Sequence, residues 1–214
     1  MLIFCNNFFS GKDIKFLVNT ETNDCFILIQ KNGTTSFREL ARAKPKLFKI
    51  VSVDYLIEHH IDTVTVFVRD PIERVLSGLT TQMKMFNISK TMLENLLNLD
   101  ETFNIYDSHT IPQFWFLLSL SNIINVKFQI KALAELDSVD TDIKNMNQNH
   151  TQTFNLTNPA ILERLTHFYT EDIVLYQQFL NTVCDIDMII KQIKLEKDFV
   201  SDLQQYRQAL TYLL

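Results

Sequence analysis

The sequence predicts an α/β fold: a parallel β-sheet flanked by helices, followed by a mostly helical C-terminal part. Three observations lead there. Short apolar, β-branched runs recur at Cys25–Gln30, Leu47–Val53 and Thr63–Val68. The first and third end in a polar turn and a helical pattern, the order that builds right-handed βαβ units. Downstream of Met83, apolar residues fall at helical spacing over most of the chain.

Taken in order, Cys25–Gln30 (CFILIQ) is a continuous apolar run suited to a buried parallel strand. Thr35 and Ser36 are placed to cap a helix from Phe37 to Ala43, which Pro45 stops. Leu47–Val53 and Thr63–Val68 (TVTVFV) are the next strands, the latter rich in β-branched residues. Asp70-Pro71 opens a helix through Leu79, because proline is favoured at the first helical position. Further helices are expected over Ser89–Leu99, Ile111–Leu120, Pro159–Phe168 and Thr170–Val183, a strand over Val126–Ile130, and a loop over the asparagine-rich Asn145–Asn158. The tail, Asp185–Leu214, reads as one long helix packed on its own domain, with a homodimer contact as the alternative. With no repeat and no Pro/Gly/Ser linker, residues 1–214 form a single domain.

Composition narrows the function. An apolar fraction of 46% with 21% charged residues describes a chain that buries a core. The net charge of -5 argues against general nucleic-acid binding, which needs a broad basic surface. One locally basic stretch, Lys31 to Lys49 with Arg38, Arg42, Lys44 and Lys46, reads either as a solvated face or as an anion site. Cys5, Cys25 and Cys184 form no CxxC pair and no cluster with histidines, so neither a metal site nor a disulfide framework is expected. Residues 1–15 are too short and too broken in their apolar run to span a membrane. Asn32-Gly33-Thr34 is a glycosylation sequon inside a loop expected to bind a ligand, which disfavours a secretory route; a cytoplasmic protein without an integral membrane segment is expected.

Two elements carry the chemistry. Gln30-Lys31-Asn32-Gly33-Thr34-Thr35-Ser36 joins a strand to a helix start, where unpaired N–H groups and the helix dipole make a P-loop-like anion pocket. Gly33 allows close backbone approach, Thr34, Thr35 and Ser36 bring hydroxyls, and Lys31 brings a mobile cation. The lysine precedes the glycine, so this is not the GxxxxGK[ST] loop of nucleoside triphosphatases. The second element, Val68-Arg69-Asp70-Pro71-Ile72-Glu73-Arg74-Val75-Leu76-Ser77, again lies at a strand end and helix start. Arg69 sits at the carboxyl edge, where open sheets bind ligands, and Ser77 two turns into the helix. Glu73 reads as a surface charge, and Arg74 as a surface charge or a brace for the loop. Two anion sites at neighbouring strand ends fit one ligand with two separated phosphate-like groups.

With those residues in view, the chain resembles the carbohydrate sulfotransferases of the Golgi type, including the heparan sulfate 2-O-sulfotransferases. QKNGTTSF is similar to their 5′-phosphosulfate loop, with Gln30 where proline is usual, and VRDPIERVLSG to their 3′-phosphate motif. Asp107-Ser108-His109-Thr110-Ile111-Pro112-Gln113 resembles their HWxPQ segment, and Phe168–Tyr176 their late YxxDxxLF segment. The resemblance implies a sulfotransferase using 3′-phosphoadenosine-5′-phosphosulfate (PAPS) as co-substrate, without a metal, and a carbohydrate or other hydroxyl acceptor. It implies that Lys31 and residues Asn32, Gly33, Thr34, Thr35 and Ser36 hold the 5′-phosphosulfate, and that Arg69 and Ser77 hold the 3′-phosphate.

Sulfuryl transfer also needs a base for the acceptor hydroxyl. His109, in a matching segment, and His60, beside His59, are the candidates carried furthest; Asp54 is another, while His150 and His167 have no supporting pattern. Two alternatives stay open: a nucleotide kinase built on the same strand–loop–helix logic, and a non-catalytic relative that binds the nucleotide or a glycan.

Overall fold

A computed structural model describes residues 13–91, 109–145 and 157–196. Its centre is a six-stranded sheet of β1 (Phe16–Asn19), β2 (Cys25–Ile27), β3 (Phe48–Val51), β4 (Thr63–Val68), β5 (Lys127–Ala132) and β6 (Val183–Cys184). The spatial order is β3-β1-β2-β4-β5-β6. The helices are α1 (Thr34–Ala43), α2 (Val53–Glu58), α3 (Pro71–Phe86), α4 (Gln113–Ser121), α5 (Pro159–Phe168), α6 (Thr170–Gln178) and α7 (Ile186–Glu196), with 3₁₀ segments at Leu133–Ser138 and Thr141–Asn145.

The α/β class holds, but the sheet is mixed rather than wholly parallel. β2 pairs with β4, and β4 with β5, in parallel, whereas β1 is antiparallel to both β2 and β3, and β6 to β5. It follows that β2, β3, β4 and β5 run one way and β1 and β6 the other. The βαβ direction read from sequence is right; the wedged strand β1 is what the sequence reading lacks. Its four residues, FLVN, are too few to show a period. A tight return makes β1 and β2 a hairpin: Asn19 Oδ1 accepts from the N–H groups of Glu21 (3.0 Å) and Thr22 (3.3 Å), and Asn23 takes a left-handed φ of 61°.

The two faces of the sheet follow from alternation. Leu17, Phe26, Leu28, Phe48 and Phe67 point to one face and meet Phe37 and Leu40 of α1 and Ile143. Phe26, Phe37 and Phe67 pack there with ring centroids 5.9–6.1 Å apart. Phe16, Val18, Ile27, Ile29, Val64, Val66, Val68, Phe128 and Ile130 point to the other face, covered by α2, α4, α6 and α7. α3 packs beside them on α5, through Val75, Leu79, Ile161, Leu165 and Tyr169.

Several boundaries move. α3 continues past Leu79 to Phe86, with Met83 keeping the i,i+4 apolar spacing of Val75 and Leu79, and it ends at Asn87 in the left-handed region. The helix expected over Thr170–Val183 stops at Gln178, and Val183 pairs instead with Gln129 as part of β6. α2, six residues long, lies where only a connection was expected. The expected tail helix is described as far as Glu196, where α7 buries Ile189, Ile190 and Ile193 in its own domain; its remainder, and the expected helix Ser89–Leu99 from Met92 onward, lie outside the described residues. The loop expected over Asn145–Asn158 falls outside them over residues 146–156. No described helix is long and apolar enough to cross a membrane.

The topology picks out one place on this frame. From β2 the chain leaves through α1 on one face toward β3; from β4 it leaves toward β5 through α4 on the opposite face. The gap between the carboxyl ends of β2 and β4 is therefore a topological switch point, the position where open α/β sheets bind ligands.

Candidate functional site

Both elements singled out in the sequence lie at that gap. The chain emerges from Ile29, turns at Gln30–Gly33 and enters α1 at Thr34, one residue earlier than Thr35 and three before the expected Phe37. Gly33, at φ 81°, is the N-cap, so neither Thr35 nor Ser36 caps the helix. The left-handed φ favours glycine here, and a Cβ at Gly33 would also stand 2.8 Å from Leu136 Cδ2, displacing the tip of that side chain. Lys31 also holds a left-handed φ, 69°, uncommon for a side chain with a Cβ.

No side chain caps α1 and no acidic residue occupies its first turn. The N–H groups of that turn have no intrahelical carbonyl to reach, and the dipole adds positive character. The hydroxyls divide differently from expectation. Thr34 directs its single O–H proton to Ile29 O (2.7 Å), inside the loop, and so braces the turn. Ser36 and Asn32 are buried, and Thr35 is exposed. An anion here meets the backbone, Thr35 and Lys31.

The second element begins at the end of β4. Asp70 caps α3, its side chain accepting from Glu73 N at 2.9 Å, with Pro71 at the first helical position. Glu73 is exposed and lies 3.4 Å from Arg69 Nε, a surface pair at i,i+4. Ser77 and Thr81 follow one another along one face of α3. Lys31 Nζ donates to Thr81 Oγ1 (2.5 Å), and Thr81 Oγ1 donates to Ser77 O (3.2 Å), so the loop's cation rests against the Ser77 turn.

Arg74 is a brace. It is fully buried, donating from Nε to Gln30 O (3.2 Å) and from Nη1 to Ile111 O (2.5 Å). Its charge acts on Asp172, also fully buried, which accepts from the N–H groups of Gln113 (2.7 Å) and Phe114 (2.8 Å) and so caps α4 from α6. Burial pushes the Asp172 carboxyl above the usual carboxylate range, while Arg74 and the two N–H groups pull it back.

Gln113 ties these parts together. Its Oε1 accepts from Arg69 N (3.0 Å) and Asn32 Nδ2 (2.6 Å), and its Nε2 donates to Arg69 O (3.0 Å) and, at 3.5 Å, to Asp172 Oδ2. Asn32 Nδ2 also donates to Phe67 O (2.7 Å). With that nitrogen buried and twice engaged, the Asn32 sequon has no room for a glycan in the folded protein. Tyr169 completes the cluster, its hydroxyl donating to Thr110 O. The four segments QKNGTTS, RDPIERVLS, HTIPQ and FYTEDIVLY thus meet in one buried network.

The sequence reading gives no role to Gln113, Asp172, Tyr169 or Gly78. The first two carry a signal: each is a polar residue at the head of an apolar run, Gln113 before FWFLL and Asp172 before IVLY. Gly78 lets the His109–Thr110 backbone lie against α3, since a Cβ there would stand 2.5 Å from His109 O.

The two candidate bases part company. His109 belongs to the segment that crosses α3 at Gly78, next to Ser77. His60 does not reach the site: exposed, with φ 52°, it precedes the first residue of β4 and lines a cleft of about 340 Å³ with Asp62, Ile124 and Asn125 at the opposite edge of the sheet. The rise along β4 separates the edges by roughly 20 Å. His59 is turned onto Tyr55, with ring centroids 3.7 Å apart. In the basic stretch, Arg38, Arg42, Lys46 and Lys49 are exposed and Lys44 is held by Asp140 (2.7 Å) and Asp142 (2.8 Å), which makes most of it a solvated face. No protein-family profile, no curated protein and no solved structure matches this chain.

Proposed function

We propose that the chain is a sulfotransferase, moving the sulfuryl group of PAPS to a hydroxyl of a carbohydrate acceptor. The observation that carries this reading is the adjacency of the Lys31 loop and the Arg69–Ser77 segment at one switch point, joined where Lys31 meets the Ser77–Thr81 face of α3. One bisphosphorylated adenosine ligand can engage both. The first turn of α1, free of carboxylates, suits the phosphosulfate end, and Arg69 with Ser77 the 3′-phosphate end.

In this reading Lys31 leaves Thr81 to donate to the bridging oxygen as the bond to sulfur breaks, and the N–H groups of α1 stabilise the charge that develops. The acceptor hydroxyl attacks in line, and a base, assigned here to His109, takes its proton. Positioning and fixed positive charge supply most of the rate, as in phosphoryl transfer.

The test is transfer of labelled sulfate from PAPS to pooled glycans, with calorimetric titration of adenosine 3′,5′-bisphosphate against ATP. The expected result is preference for the bisphosphate and a labelled product, with transfer reduced at least about tenfold in Lys31→Ala. Preference for ATP, or no binding of either nucleotide, refutes the reading.

A further inference from the structure

We propose that Gln113 is the positioning residue that sets the spacing between the two anion-binding elements, so that a ligand carrying both phosphate-like groups is held better than either group alone. This rests on the reading above. The argument is geometric. A primary amide has two donor positions and two acceptor lone pairs, and Gln113 uses all four: two on the N–H and C=O of Arg69, one on Asn32 Nδ2 and one on Asp172. The orientation is forced, because reversing the amide would set Nε2 against the Arg69 N–H and Oε1 against Arg69 O.

The clasp on Arg69 fixes the two peptide groups that flank its Cα, in the manner of a neighbouring strand, just past the end of β4, whose strand pairing ends at Val68. The bond to Asn32 fixes the middle of the Lys31 loop. One fully buried side chain thereby sets where the loop stands relative to the Arg69 turn. Its own place is set by Asp172, which accepts from the Gln113 backbone N–H, and by the start of α4. Gln113 touches neither reacting group; it acts through Asn32 and Arg69.

Two binding elements at a fixed spacing give an affinity beyond that of either alone, through a high effective concentration of the second once the first is engaged. Loosening the spacing removes that gain and leaves the individual contacts. The probes are therefore adenosine 3′,5′-bisphosphate, adenosine 3′-phosphate and adenosine 5′-phosphate, titrated calorimetrically into the intact chain and into Gln113→Met and Gln113→Glu, with thermal unfolding measured in parallel. Met keeps the length and loses every side-chain polar contact; Glu keeps the acceptors and loses the donors to Arg69 O and to Asp172 Oδ2. The expected result is that the bisphosphate's advantage over the better monophosphate falls about tenfold or more in Gln113→Met, and less in Gln113→Glu, while each monophosphate stays within about threefold of the parent protein. Folded variants that keep the full advantage, or that lose all three nucleotides equally, overturn the assignment and leave the function standing. Failure of both variants to fold assigns Gln113 to the core alone and also overturns it. A parent protein with no bisphosphate advantage overturns the function and the assignment together.

Discussion

Replacing Arg74 with methionine tests the buried network most directly. The guanidinium is fully buried and donates to two carbonyls, Gln30 O at 3.2 Å and Ile111 O at 2.5 Å, and its charge opposes that of Asp172. Hydrogen bonds to a charged group contribute about 1.5–3 kcal/mol each. Leaving a buried carbonyl without its donor costs about 1–3 kcal/mol. These two figures describe overlapping losses and are not added to each other; two such bonds place Arg74→Met at about 4 kcal/mol. At about 2–4 °C per kcal/mol for a chain of this size, the melting temperature falls by about 8–16 °C. Arg74→Lys keeps the charge but not the fork that spans both carbonyls, and loses about half as much.

The same substitution has a pH signature. Burial already lifts the Asp172 carboxyl, and Arg74 is the opposing charge that pulls it back. Without Arg74 the folded value rises further, away from an unfolded value of about 3.9. A group raised on folding contributes stability fully below its unfolded pKa and loses it as pH climbs through the folded pKa. Arg74→Met is therefore closest to the parent protein near pH 5 and furthest from it near pH 8. Urea unfolding followed by circular dichroism at both values measures this. A variant within about 1 kcal/mol of the parent at both pH values would refute the account of Arg74 as a brace.

Two further perturbations probe the frame. Gly78→Ala gains about 1 kcal/mol of helix propensity but forces a Cβ to within 2.5 Å of His109 O, a backbone atom, and is expected to destabilise by about 1–3 kcal/mol net in chemical denaturation. Burial alone would push the Asp140 carboxyl up, but the Lys44 ammonium and the Asp142 N–H outweigh it and hold the group below its usual range. Its stabilisation is present above pH about 3.9 and fades as pH falls through the folded value, so Asp140→Asn flattens the acid limb of a stability–pH curve.

What the sequence discloses and what it hides divides along physical lines. β4 is legible to the residue because six residues, five β-branched and one aromatic, are bounded by turn signals, and the start of α3 because Asp70-Pro71 is a strong local signal. β1 is not legible: four residues carry no periodicity, and its place between β2 and β3 depends on pairing with residues up to 35 positions away, Phe16 with Val51. At the candidate site, Lys31, Gly33, Arg69 and Ser77 stand out in the sequence because the order of strand, turn and helix start is local. Gln113 and Asp172 do not, since their partners lie on other segments and only the fold brings them together. Thr34 misleads for a related reason: a hydroxyl beside a glycine loop looks like a ligand donor until the fold shows its proton directed to Ile29 O.

The choice between the two histidines turns on strand direction. Sequence favours His109 over His60 only through the segment it stands in, since His60 has no support beyond its neighbour His59. The parallel run of β2, β4 and β5 fixes which ends of those strands share an edge with the Lys31 loop, and His60 stands at the other one, ahead of Thr63. The backbone of His109 lies against α3 at Gly78, next in sequence to Ser77. A base must come within hydrogen-bond reach of the hydroxyl it deprotonates, a requirement that an edge roughly 20 Å away does not meet. Under the proposed chemistry, His109→Ala lowers sulfate transfer by about 10²-fold or more at saturating donor, with donor affinity little changed, while His60→Ala transfers at the parent rate. Full turnover by His109→Ala would remove it as the base, and loss of turnover in His60→Ala would mean that the reaction does not take place at the carboxyl ends of β2 and β4.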